Sequence, residues 1–120
     1  MNILNNFKKL IFYRQHPEAA IRYAPLVKFI QKHHLKKAKI LEIGSGALGI
    51  APYLKREVVG LDMDFSEPKY KYLKQVKGSA DRVPFKAKRF DLVILSDVLE
   101  HLPSKIRNKS LAESIRVSKK

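Results

Sequence analysis

The sequence contains no cysteine, which excludes disulfides, thiolate metal centres and a cysteine nucleophile. It also has no apolar run near the roughly 18 residues that a membrane span requires. The short run Leu10-Ile11-Phe12-Tyr13 is flanked by Lys8, Lys9 and Arg14 and has no small-residue cleavage site, so it is not expected to act as a signal peptide. These absences lead us to expect a cytoplasmic protein. Acids are scarce too: 11 Asp+Glu stand against 25 Lys+Arg, for a net charge of +14. The imbalance is uneven. Residues 1–40 carry a net of +8, residues 41–66 a net of −2, residues 67–90 a net of +6 and residues 91–120 a net of +2. The glycine-rich centre is therefore the acidic part, and a loop that gripped phosphates would not be expected to have acids around it. The excess reads first as a solvated lysine-rich surface, with RNA left open as a partner of the basic flanks.

What is present is enough for one domain. A chain of 120 residues that is 45% hydrophobic can bury about two-thirds of its unfolded surface. Residues 2–14 have Leu4, Phe7, Leu10 and Ile11 at helical spacing. A second helix opens at His16-Pro17-Glu18 and continues through Ala20, Tyr23, Val27 and Ile30, with Pro25 expected to kink or split it. From Lys39 the pattern changes. Ile40-Leu41-Glu42-Ile43 is a short apolar run that leads into Gly44-Ser45-Gly46-Ala47-Leu48-Gly49 and then a helix from Ile50 to Leu54. Glu57 to Asp62 reads as a second strand, Pro68 to Lys74 as a short helix, Gln75 to Ser79 as a third strand and Phe90 to Leu95 as a fourth. A last helix comes after Pro103, with Ile106, Leu111 and Ile115 expected to face inward. Strands alternating with helices imply an α/β fold: a doubly wound, Rossmann-like parallel sheet with helices on both faces. We expect N-terminal helices over 1–37 and a β/α core over 38–120. Ligands bind such sheets at the carboxyl ends of the strands, where this sequence places its glycine loop, Asp62, Ser79 and Ser96-Asp97.

Gly44-x-Gly46-x-x-Gly49, after a strand and before a helix, has the spacing of a nucleotide loop, although plain strand-to-helix turns can show it as well. Glu42, two residues before Gly44, sharpens the reading. A carboxylate beside a pyrophosphate would be repelled, whereas a ligand with an amino cation and a sulfonium would be attracted. Its alternative role is a salt-bridged or capping acid at the strand end. Asp62, 18 residues after Gly44, can accept hydrogen bonds from both hydroxyls of a ribose. Its alternative is an N-cap for the next helix.

Taken together, these segments resemble class I S-adenosyl-L-methionine (SAM) dependent methyltransferases of the small-molecule branch, over about residues 38–117. Ile40 to Gly46 resembles their SAM signature and Val58 to Asp62 their ribose-binding strand. Gly78-Ser79-Ala80-Asp81-Arg82-Val83-Pro84-Phe85 is similar to their adenine-side segment, and Phe90 to Pro103 to their fourth strand and its succeeding helix. The resemblance implies that Glu42 and the Gly44 backbone face the methionine amino group, that Ser45 belongs to the same cofactor-binding loop and that Gly46 makes room for the methionine portion. It further implies that Asp62 binds the ribose, Met63 packs on the adenine, Ser79 and Ala80 meet the adenine edge, and Leu95 closes the amino-acid end. Ser79 stands where the family usually has aspartate, so a neutral acceptor replaces a charged one. The family's sheet has seven strands, and the chain is expected to supply about four. Phe90 to Leu95 would then be an apolar edge open to a partner chain or to self-association.

The implied activity is methyl transfer from SAM to an acceptor, with a small molecule favoured and no catalytic residue assigned. Two rivals stay open: a binding module with no turnover, and an NAD-dependent oxidoreductase with the same glycine spacing. Asp97, Glu100 and His101 would share a face of a helix and could hold a divalent ion, but the wall of the cofactor pocket is the preferred reading and no metal is expected. His33-His34 reads as a helix end rather than a metal pair. Lys69-Tyr70-Lys71-Tyr72-Leu73-Lys74 interleaves bases with aromatics as single-strand nucleic-acid surfaces do, with an amphipathic helix as the preferred account.

Overall fold

The computed structural model describes residues 17–46, 48–65, 70–95 and 99–119, with the side chains of residues 17–20 and 100 left aside. The helix expected over 2–14 lies outside this range. The chain divides between Lys36 and Lys37 into two compact units.

In the first unit, helix α1 spans Pro17–Lys32. Tyr23 and Ile30, two turns apart, are buried, and Ile21 and Phe29 are exposed. Pro25 sits inside the helix without splitting it. α1 ends in a Schellman turn, in which Leu35 N–H donates to Ile30 O at 2.9 Å and His34 N–H to Gln31 O at 3.3 Å. His34 takes the left-handed position at φ 55°, and the His33 ring packs on Phe29 with centroids 4.3 Å apart. The histidine pair thus forms a helix end, as expected.

The second unit is built on four parallel strands: β1 (Ile40–Ile43), β2 (Val58–Asp62), β3 (Leu73–Lys77) and β4 (Leu92–Leu95). Their order across the sheet is β3-β2-β1-β4. The chain steps outward from β1 to β3, then crosses back to lay β4 on the far side of β1. That reversal makes the sheet doubly wound, with its switch point between β1 and β4. The register pairs Glu42 with Gly60 and Ile43 with Leu61 on one side of β1, and Ile43 with Leu95 on the other.

Alternate residues of a strand face opposite sides. One side of β1 and β2 sends Leu41, Ile43 and Leu61 into a core closed by Val83, Phe90 and Val117, with Val93 and Leu95 packed against it. The other side carries Ile40, Glu42, Val58 and Gly60, all buried. Among the described residues the connections hold two helices and a tight turn: α2 (Ala51–Leu54), a 3₁₀ turn (Leu99–His101) and α3 (Ser104–Val117).

Three expectations are corrected. Residues 70–74 are not helical: Lys71 and Tyr72 form a turn and β3 already begins at Leu73. Tyr72 O accepts from Val58 N–H at 2.9 Å, so sheet pairing overrides the local pattern, and the strand ends at Lys77 rather than Ser79. The inner face of α3 is Ser110, Ser114 and Val117, while Leu111 and Ile115 are 39% and 67% exposed. The serines are small enough to sit against the unit, and each hydroxyl is satisfied on its own helix, Ser110 donating to Ile106 O and Ser114 to Leu111 O at 2.8 Å. The fourth strand is regular only from Leu92, because Phe90 pairs instead with Ser118 after α3. Lys119 N–H also donates to Phe90 O at 2.9 Å. Among the described residues β4 itself is an edge of the sheet.

Candidate functional site

The loop from β1 to α2 is held from both sides by carboxylates. Glu42, fully buried on β1, accepts from Ile50 N–H through Oε1 at 2.7 Å. It thereby ties the strand to the entry of the helix. Asp62, the last residue of β2 and half-buried, accepts from Gly46 N–H through Oδ2 at 2.9 Å and from Met63 N–H through Oδ1 at 2.8 Å. The two acids therefore flank one loop at neighbouring strand ends, as the parallel register of β1 and β2 requires.

The loop's glycines have different jobs. Gly46, at φ 62°, has nothing within 4 Å of where a Cβ would stand, so its outer side is open. At Gly49, φ 57°, a Cβ would lie 2.4 Å from Glu42 Oε1. That glycine makes room for the buried carboxylate. Outside the loop, a Cβ on Gly60 would come within 2.4 Å of Ser45 Oγ. Ser45 is buried and donates to Gly46 O at 2.8 Å.

Around this centre, Met63 is 73% exposed beyond Asp62. Ser79 Oγ donates to Asp81 Oδ1, and that bond holds the Asp81 carboxyl below its ordinary value. Ala80 packs on the hydrophobic core, and Gly78 N–H donates to Asp62 O at 3.1 Å, tying this segment to the tip of β2. Leu95 ends β4 opposite Ile43, which precedes Gly44. All the expected positions thus belong to segments at the carboxyl end of the sheet, but Glu42 points inward and presents no surface to a ligand.

An adenosyl ligand fits these residues. Asp62 has each oxygen engaged once, leaving lone pairs for two hydroxyls, and the open side of Gly46 leaves space next to it. The sequence from residues 41 to 120 matches the family described as methyltransferase domain. The chain belongs to that family. The methyltransferase domain is also similar to a Pyrococcus horikoshii protein of known structure, at 24% identity and a TM-score of 0.69, over 90% of this chain and 60% of that one. A second match is a Thermotoga maritima SAM-dependent methyltransferase described as a possible histamine N-methyltransferase. It has 22% identity and a TM-score of 0.62, over 98% of this chain and 54% of that one. The chain thus spans about three-fifths or less of the length of these structures. A comparison with curated proteins gives no match.

Sequence reasoning missed several supports of the methyltransferase domain's site. Asp81, two residues after Ser79, accepts a hydrogen bond from the Ser79 hydroxyl; its spacing was the available signal. Glu113 on α3 accepts from Val83 N–H at 2.9 Å. Arg116 donates to Phe85 O at 2.9 Å and to Val83 O at 3.0 Å, and also pairs with Glu113. This arrangement fixes the 83–85 connection, and nothing in the sequence between residues 85 and 113 announces it. Of the acid–acid–His face, Asp97 and the Glu100 side chain lie outside the described residues. His101 is exposed and ends a 3₁₀ turn rather than a turn of continuous α-helix. No cluster of three metal-binding side chains occurs among the described residues. No helix among them is long and apolar enough to cross a membrane.

Proposed function

We propose that the chain binds SAM at the carboxyl ends of β1, β2 and β4 and takes part in methyl transfer from it to an acceptor, for which a small molecule is favoured. The observation that carries this reading is Asp62: a half-buried carboxylate at a strand tip, oriented by two backbone N–H groups and standing beside the open side of Gly46.

In this reading Asp62 accepts from both ribose hydroxyls, and Met63 covers the adenine. Ala80 meets the adenine edge together with Ser79, whose hydroxyl is already committed as a donor to Asp81 and so keeps its lone pairs for the ligand's amino group. Gly44, Ser45 and Gly46 line the methionine portion, and Leu95 closes it. Glu42 acts from beneath the loop by fixing its path to Ile50. A bound SAM supplies a sulfonium methyl that needs little further activation. The chain's own contribution is to hold donor and acceptor in line and to exclude water, and positioning of this kind is a large part of such catalysis. We assign the protein to the cytoplasm.

Calorimetry with S-adenosylhomocysteine tests the site. Asp62→Ala should weaken binding by roughly 10- to 100-fold, as loss of two hydrogen bonds to a charged acceptor implies. Glu42→Ala should weaken it less and lower the melting temperature as well. Binding unchanged by Asp62→Ala would end this reading.

A further inference from the structure

We propose that the end of the sheet opposite the glycine loop is a docking face for single-stranded nucleic acid. Because all four strands are parallel, the residues that precede each strand gather at one end. Lys39 precedes β1, Lys55 precedes β2, Lys71 precedes β3, and Lys88 and Arg89 precede β4; all are exposed. Lys119, also exposed, is brought alongside by the bond from its N–H to Phe90 O. The connections there are short. Asp91 N–H donates to Lys39 O at 2.9 Å, and Lys88 N–H to Arg116 O at 2.8 Å. Against these six cations stand two acids, Glu57 and Asp91, and Asp91 is already engaged by Lys39 N–H and by Lys119 Nζ at 2.9 Å. The acids Glu42, Asp62 and Asp81 lie at the other end. The basic excess that the sequence showed as two separate flanks is therefore partly one rim.

The rim also carries the aromatic residues that single strands stack on. Tyr70 and Tyr72 meet edge-to-face at 5.8 Å, and Lys71 Nζ lies 4.6 Å from the Tyr72 ring centroid. Lys71 and Tyr72 form a turn and Leu73 begins β3, so the described part of this basic–aromatic string is not an amphipathic helix. Cations that track a backbone, interleaved with half-buried rings, are the chemistry of sequence-tolerant single-strand binding. An anionic membrane would need exposed large apolar side chains as well. None of the exposed large apolar side chains of the described residues is among these rim residues. The proposal is independent of the SAM reading, and it places nucleic acid and cofactor at opposite ends of the sheet.

Fluorescence anisotropy of the 120-residue chain with labelled oligouridylate of about 15 nucleotides tests it. The oligodeoxythymidylate of equal length separates RNA from DNA as the source of the strand, and a duplex of equal length tests for stacking. Binding should weaken with salt at a slope of about −3 to −4, the value for some five phosphates on a single strand. Lys88→Glu with Arg89→Glu should weaken binding by at least about 10-fold. Lys105→Glu with Lys109→Glu makes the same charge change on the first turns of α3, with Lys109 close enough to act on Asp81; it should leave affinity within about 2-fold. Tyr70→Leu should lower affinity for the single strand more than for the duplex. Circular dichroism checks that each variant is folded. Absence of salt-dependent binding, equal losses from the two lysine–arginine and lysine–lysine pairs, or tighter binding to phosphatidylserine-rich vesicles than to the oligonucleotide would overturn the proposal.

Discussion

Replacing Gly49 by alanine should destabilise the methyltransferase domain by about 3 kcal/mol, from two sources. A φ of 57° puts an L side chain in the left-handed region at a cost of about 1 kcal/mol. The new Cβ would also stand 2.4 Å from Glu42 Oε1 and 3.1 Å from both Glu42 Cδ and Ser45 Cβ. Glu42 is fully buried and cannot withdraw without releasing Ile50 N–H, and overpacking of this kind costs about 1–3 kcal/mol. For a chain of this length 1 kcal/mol corresponds to about 4 °C, so the melting temperature should fall by roughly 12 °C. Scanning calorimetry reads this directly. Adding Glu42→Ala removes the carboxylate that the methyl group strikes, so the double variant should be more stable than the two single effects predict, by about 1–2 kcal/mol. A melting shift below about 2 °C for Gly49→Ala, or strict additivity in the cycle, would refute the claim that this glycine exists to seat Glu42.

The face of α3 can be tested by a contrasting pair. Ser110→Leu, at a fully buried position, should cost about 2 kcal/mol or more, whereas Ile115→Lys, at a 67% exposed position, should stay within about 0.5 kcal/mol; urea midpoints check both. Acid stability should depend on Glu113. Its carboxyl is held below the usual 4.5, first by the hydrogen bond from Arg116 and then by that from Val83 N–H. A depressed folded value means that the stabilisation is present above the unfolded value and is lost as pH falls through the folded one. Glu113→Gln should therefore cost about 1 kcal/mol at neutral pH and show a shallower loss of stability below about pH 5 than the parent chain. Parallel urea titrations at neutral and acidic pH compare the two, and equal acid slopes would contradict the assignment.

Much of the sheet was legible because parallel strands buried on both faces read as near-continuous apolar runs. Ile40 to Ile43 and Val58 to Leu61 are largely apolar and buried, interrupted by Glu42, Leu92 to Leu95 is wholly apolar, and the glycine loop between the first two marks the turn. β3 was mislocated for the complementary reason. It is an edge strand with only Leu73 fully buried, so Lys71 to Lys74 carries no strand periodicity and its alternating bases and tyrosines imitate a helix. The inner face of α3 was misread because Ser110 and Ser114 look like solvent residues. Their hydroxyls are satisfied within the helix, which a residue-type pattern does not show.

The sequence alone determined the fold class, the order of the strands along the chain and the identity of the two carboxylates at their tips, because each of these rests on local patterning and chain order. Only the tertiary structure decided which way those carboxylates act. Glu42 turns inward because strand alternation sends it to the same side as Gly60, and Gly49 leaves space for it there. Asp62 stays half-exposed because it ends its strand. Tertiary structure likewise decided that basic segments far apart in the chain share one rim, since a parallel sheet brings the starts of all its strands to the same end.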